Sequence, residues 1–151
     1  MPESEKQYLW RVVLDTNVFI AAFLSRNLKS PNRELIQRWL KGDFILLTSS
    51  RLTIEIIEKL KKKKIQPLQI LRVVTNLAFL AENIELDSKD IKRIVQKDPD
   101  DDMIIACAVK GAAQYIITYD PHILELGTTI QGIKITEPLP FLFDLRKVEN
   151  T

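Results

Sequence analysis

The sequence predicts a single-domain α/β fold around a mainly parallel sheet. Three observations carry that expectation. Short β-rich apolar runs recur along the chain, amphipathic helical stretches separate them, and 151 residues suit one hydrophobic core. The runs are continuously apolar rather than alternating, the pattern of strands covered by helices on both faces.

The first strand is Arg11 to Leu14, which leads directly into Asp15. Val18 to Leu24 follows as a helix. Residues 27–32 form a loop in which Ser30 caps, and Pro31 opens, the helix Arg33 to Lys41. Gly42 ends that helix, because a residue there takes positive φ. Phe44 to Thr48 is the second strand. Ser49 or Ser50 caps a helix with Leu52, Ile56 and Leu60 at helical spacing, which ends in Lys61, Lys62, Lys63 and Lys64. Pro67 opens the helix Leu68 to Leu80. Ile84 to Leu86 is a short strand, and Ser88 to Val95 a helix. Asp98-Pro99 reads as the N-cap and first residue of a helix reaching about Ala113. Tyr115 to Thr118 is a strand, followed by Asp120-Pro121. Ile133 to Ile135 is the last strand, and Pro138 and Pro140 close the domain. The whole chain, 1–151, reads as one domain with its core at about 11–143 between short polar tails. No internal repeat or low-complexity tract interrupts it.

Composition narrows the function classes. Four glycines leave no room for a P-loop or dinucleotide fingerprint. One cysteine, Cys107, forms no internal disulfide and lies in an apolar helical run, which fits a reducing, cytoplasmic setting. The polar N-terminus has no signal-peptide core, and no apolar stretch is long enough to span a membrane. A net charge of +2 is too small to prove a polyanionic partner. Its distribution is uneven: lysines 61–64 form a basic run, and Asp98, Asp100, Asp101 and Asp102 an acidic knot.

The acids point to a site. In an open parallel sheet, ligands bind beyond the carboxyl ends of the strands. Asp15 leaves one strand directly, and Asp120 stands two residues after another. Asp101 shares a helical face with Ile105, Ala108 and Ala112, the face that must meet the sheet. Glu55 flanks the Leu52/Ile56/Leu60 stripe early in its helix. Carboxylates gathered this closely repel one another and destabilise a fold. A divalent cation offsets that repulsion, and Mg²⁺ or Mn²⁺ suits oxygen ligands. One histidine and one cysteine exclude a structural zinc site. Taken singly, Asp98 is an N-cap, Asp100 and Asp102 complement a helix dipole, Glu55 is a solvated helix residue, and Asp120 is a turn residue. Convergence carries the reading.

Together these residues resemble the PIN-domain family. The sequence has VVLDTN with Asp15, Thr16 and Asn17, then a helical Glu55, then DPDDD with Asp101, and YIITYD with Thr118 and Asp120. The DPDD stretch with its alanine-containing helix is similar to the bacterial branch of toxins in toxin–antitoxin pairs. The resemblance implies a three-layer α/β/α sandwich whose mainly parallel sheet has four or five strands. It also implies a Mg²⁺- or Mn²⁺-dependent ribonuclease, often a homodimer, with a small antitoxin partner. The catalytic, metal-binding residues carried over are Asp15, Glu55, Asp101 and Asp120. Thr16, Asn17, Thr118 and Asp98 would support them. Family members often have Asn where Asp102 stands, so Asp102 is the alternate ligand to Asp101; helical register favours Asp101. Asp15 and Asp101 are expected to hold the ion, with Glu55 and Asp120 direct or through water.

Lysines 61–64 are candidate phosphate contacts, against a solvated helix end as the plainer reading. Trp10 and Trp39 offer rings for base stacking, although Leu35 and Ile36 beside Trp39 favour core or dimer contact. His122 is read as a turn residue without a catalytic role. An aspartyl phosphatase would want Asp at position 17, which is Asn. A phospho-receiver would want an acidic pair at the first strand and a late lysine, and neither is present. The remaining rival is a degenerate nuclease domain acting as an RNA-binding or scaffold module.

Overall fold

The computed structural model describes residues 9–92 and 99–149, with the backbone alone for 99 and 100. The strands are β1 (Arg11–Leu14), β2 (Ile45–Thr48), β3 (Glu82–Asn83), β4 (Tyr115–Ile117), β5 (Thr129–Ile130) and β6 (Ile133–Thr136). The helices are α1 (Thr16–Leu24), α2 (Pro31–Leu40), α3 (Ser50–Lys62), α4 (Pro67–Leu80), α5 (Pro99–Lys110), α6 (Pro121–Leu124) and α7 (Pro138–Glu149). The sheet runs β3-β2-β1-β4-β6-β5, parallel throughout except for β5, which pairs antiparallel with β6.

Strand alternation sorts the core into two layers. Val12, Leu14, Leu46, Tyr115 and Ile117 face one side, where α1, α2, α3, α4 and α7 cover them. Val13, Leu47, Ile116, Ile133 and Ile135 face the other, where α5 and α6 pack. The α/β/α sandwich is therefore as expected. Among the described residues the sheet has six strands rather than four or five, because a two-residue strand such as β5 is too short for a periodic signal. Residues 129–130 pair with β6 unannounced by the sequence pattern, and the expected strand at Ile84–Leu86 falls two residues early, at Glu82–Asn83.

Local chemistry explains the boundaries. Ser30 Oγ accepts the Arg33 N–H at 3.1 Å, and Ser49 Oγ accepts that of Leu52 at 3.2 Å, so both serines cap as their positions imply. α5 stops at Lys110, short of Ala113. Gly111 lets the chain run close to Leu47: an added Cβ would meet Leu47 Cδ1 at 2.7 Å and Cys107 O at 2.9 Å. Ala112 then takes φ +52°, which ends the helix. Only Ser88–Asp90 of the expected helix Ser88–Val95 appears, as one 3-10 turn; residues 93–98, with the expected N-cap Asp98, lie outside the described residues.

The largest correction is at the C-terminus. Pro138 and Pro140 do not close the domain. They occupy the first turn of α7, where a missing N–H has no intrahelical partner to lose. The helix inserts Phe141, Leu142 and Leu145 into the first core layer, so the buried core extends to Leu145. Arg146 bridges back to Glu34 on α2. Its guanidinium, seconded by Arg38, holds the Glu34 carboxyl below its ordinary range.

Candidate active site at the β1–β4 crevice

Topology selects the location. The chain moves outward from β1 to β2 to β3, then returns to lay β4 on the other side of β1. A crevice opens where the order reverses, beyond the carboxyl ends of β1 and β4. A cavity of about 60 Å³ lies there, lined by Asp15, Thr16, Asn17, Glu55, Lys59, Asp101, Ile104 and Asp120. All four acids expected at the site therefore line one cavity, although they come from β1's exit, α3, α5 and the β4–α6 turn.

Asp15 sits at the N-cap of α1, yet its side chain makes no capping bond. Its Oδ2 instead accepts the Thr118 hydroxyl at 2.7 Å. Thr118 Oγ1 in turn accepts the Asp120 N–H at 2.9 Å. One fully buried hydroxyl thus fixes the orientation of one acid and the backbone of another. Replacing Thr118 by the isosteric valine leaves a half-buried donor and a buried carboxylate short of a partner. We expect Thr118→Val to cost about 1–3 kcal/mol, read as a lower urea midpoint at unchanged slope. An unchanged midpoint would show that the hydroxyl holds neither group.

Glu55 and Lys59 stand one turn apart on α3, beside the buried Ile56 and Leu60. Lys59 Nζ contacts Glu55 Oε1 at 2.8 Å, Thr16 Oγ1 at 3.0 Å and Asn17 Oδ1 at 3.1 Å. Thr16 Oγ1, accepting from Lys59, donates to Glu55 Oε1 at 3.2 Å. Asn17 therefore supports a lysine rather than a carboxylate. Sequence reading overlooked Lys59, although a glutamate followed by lysine at i+4 is a recognisable helical ion pair.

Asp101 and Asp102 are both buried, at 5% and 3% exposure, but they part company. Asp101 faces the acidic cavity, whereas Asp102 lines a separate pocket with Asp90, Lys92, Ile105, Ala106, Val109 and Gln131. The alternate assignment to Asp102 is thus displaced from the cavity by one helical step, 100° around α5.

Among the described residues, Asp101, Asp120 and His122 form a group of possible ligand atoms mutually within 4.8 Å. Asp15 and Glu55 line the cavity outside that set. The sequence pattern alone makes His122 a turn residue without a catalytic role. The signal available was its spacing, since a residue two after a capping Asp folds back beside it: Asp120 Oδ1 accepts the His122 N–H at 2.8 Å.

Lysines 61–64 are exposed at the end of α3, and none lines the cavity. Trp39 is buried in the core, and Trp10 packs on the Tyr115 and Phe141 rings at 5.0 and 5.8 Å, so both rings serve packing. Cys107 is buried, and burial pushes its thiol up to about 12, which fits an unreactive core residue.

A parallel α/β sandwich with acids gathered at its switch point is the architecture of a PIN domain. The PIN domain family matches residues 11–122, and the chain belongs to that family. Two solved structures share the fold. The VapBC2 structure from Rickettsia felis, bound to a DNA fragment from their promoter, aligns with a TM-score of 0.58 at 15% identity, covering 83% of this chain and 96% of that one. Mycobacterium tuberculosis VapC20, described as a Sarcin-Ricin loop cleaving toxin, aligns with a TM-score of 0.57 at 13% identity, covering 82% and 98%. At such identities the likeness concerns the fold alone. No curated protein matches the chain.

Proposed function

We propose that this protein is a Mg²⁺- or Mn²⁺-dependent endoribonuclease that hydrolyses RNA phosphodiester bonds, and that it is the toxin of a toxin–antitoxin pair. The observation that carries the reading is the convergence of Asp15, Glu55, Asp101 and Asp120 on one small polar cavity at the sheet's switch point. Family membership supports a nuclease, and the likeness to VapC20 supports RNA as substrate.

The donor set fits a divalent ion. Carboxylate oxygens dominate it, and no thiolate is near. Asp101 and Asp120 would hold the ion, with Asp15 and Glu55 reaching it directly or through water. Such an ion supplies positive charge that activates water and neutralises the phosphoryl oxygens. The protein's own share is positioning. Thr118 aims Asp15, the Asp120 backbone is fixed by the same hydroxyl, and Thr16 with Lys59 pins Glu55. RNA strands would approach over the cavity mouth, where Lys59 is the cation at hand.

A small antitoxin, homodimerisation and a cytoplasmic setting belong to the same reading. Exposed Ile54, Leu68, Leu71 and Phe79 on α3 and α4 supply apolar surface of the kind protein partners cover. Among the described residues, no helix is long and apolar enough to cross a membrane.

A second reading has one specific observation in its favour. Lys59 already neutralises Glu55, as a degenerate domain serving as an RNA-binding or scaffold module would allow. Thermal melting against Mn²⁺ separates the two. A live site at 100 times its dissociation constant gains about 2.7 kcal/mol, a rise of roughly 5–10 °C for a domain of this size. A flat melting temperature up to millimolar Mn²⁺ would favour the degenerate domain.

A further inference from the structure

Two acids that line the cavity, Asp101 and Asp120, are grouped with a nitrogen donor beside it. His122, the chain's one histidine, stands with Asp101 and Asp120 in a set whose atoms lie within 4.8 Å of one another. Its backbone is already accounted for, because Asp120 Oδ1 accepts the His122 N–H at 2.8 Å. The ring is a separate matter. Nδ1 stands 3.6 Å from that same Oδ1, too far for a hydrogen bond. Ligands about 2.1 Å from an octahedral ion stand about 3.0 Å apart when adjacent and about 4.2 Å apart when opposite. The His122–Asp120 separation falls between these values, and the outer limit of the set exceeds them by a fraction of an ångström.

Burial grades across the group. Asp101 is deepest, at 5% exposure, the Asp120 side chain is 21% exposed and that of His122 40%. The imidazole is therefore the most exposed of the three, beside the cavity that Asp101 and Asp120 line. α6 begins at Pro121, whose ring fixes φ and keeps residue 122 in the turn beside Asp120.

Resting on the metal-dependent reading above, we propose that His122 supplies a nitrogen ligand to the divalent ion alongside Asp101 and Asp120, and that the protein thereby prefers Mn²⁺ to Mg²⁺. Mg²⁺ takes oxygen ligands almost exclusively, whereas Mn²⁺, although it too favours carboxylate oxygens, is a transition-metal ion that also accepts an imidazole nitrogen. A carboxylate-only cavity would not separate the two ions in this way. One neutral nitrogen in place of an oxygen shifts the balance without adding negative charge.

The test uses the full chain loaded with one equivalent of Mn²⁺ and pulsed electron paramagnetic resonance, which detects nitrogen bonded to manganese. Directly bonded ¹⁴N is expected in the wild type and not in His122→Ala. Calorimetric titration should show Mn²⁺ affinity falling by about 10-fold or more in His122→Ala, with Mg²⁺ affinity changing by less than about 3-fold. Bound Mn²⁺ without a nitrogen signal in the wild type would overturn the inference while leaving the nuclease reading intact. Equal losses for both ions would overturn the selectivity. Failure of the wild type to bind Mn²⁺ at all would overturn both this inference and the metal-dependent reading beneath it.

Discussion

Asp15→Asn is expected to abolish RNA cleavage, by at least about 10³-fold, without lowering the melting temperature of the metal-free protein. Two effects oppose one another in that protein. Asp15 begins α1, where negative charge is favourable by about 0.3–1 kcal/mol. It also shares a small cavity with Glu55, Asp101 and Asp120, where removing a charge relieves repulsion. Asparagine keeps an oxygen that accepts the Thr118 hydroxyl, so the buried bond survives. The net change should stay within about 1 kcal/mol, since the opposing electrostatic terms are of that size. Melting in EDTA beside a cleavage assay reads both quantities. A large loss of melting temperature in EDTA would make Asp15 a structural residue rather than a ligand.

Phe141→Ala is expected to destabilise the fold by about 3–5 kcal/mol, a large part of the 5–15 kcal/mol typical of a whole domain. Phe141 is fully buried, and its ring meets those of Tyr115, Phe44 and Trp10 at centroid distances of 4.9, 5.3 and 5.8 Å. Tyr115 lies on β4, so the aromatic cluster carries α7 onto the strand that presents Thr118 and Asp120. Truncation here leaves a cavity among side chains held on β4 and at the entries to β1 and β2, which have little freedom to collapse into it. Urea unfolding followed by fluorescence measures the effect. A loss under 1 kcal/mol would mean that α7 is docked by its Arg146–Glu34 and Arg38–Glu149 bridges instead.

The two variants separate what the sequence showed from what it concealed. The acidic site was legible because strand ends have no packing need for carboxylates, and Asp15 and Asp120 each follow a strongly apolar strand. Asp101 was legible from helical register, which also sends Asp102 elsewhere. α7 was concealed by Pro138 and Pro140, residues that stop a helix in its interior and start one in its first turn. Its apolar residues lie within a stretch the prolines made look like a tail. β5 was concealed by length, since two residues show no period, and β3 was expected two residues late for the same reason. Lys59 and His122 were concealed differently. Each gains meaning only from a neighbour: Lys59 from Glu55 one turn earlier, and His122 from the way Asp120 caps its own turn. Composition gives a single histidine or a lysine on a helix no special standing, and tertiary placement does.

The central claim is that the gathered acids form a divalent-metal centre that cuts RNA. RNA cleavage by the purified chain, measured in EDTA and again after restoring Mn²⁺ or Mg²⁺, tests it most directly. The account predicts no cleavage in EDTA, recovery on adding either ion, and no recovery in Asp101→Ala. Cleavage that persists in EDTA, or that Asp101→Ala retains in full, would contradict it.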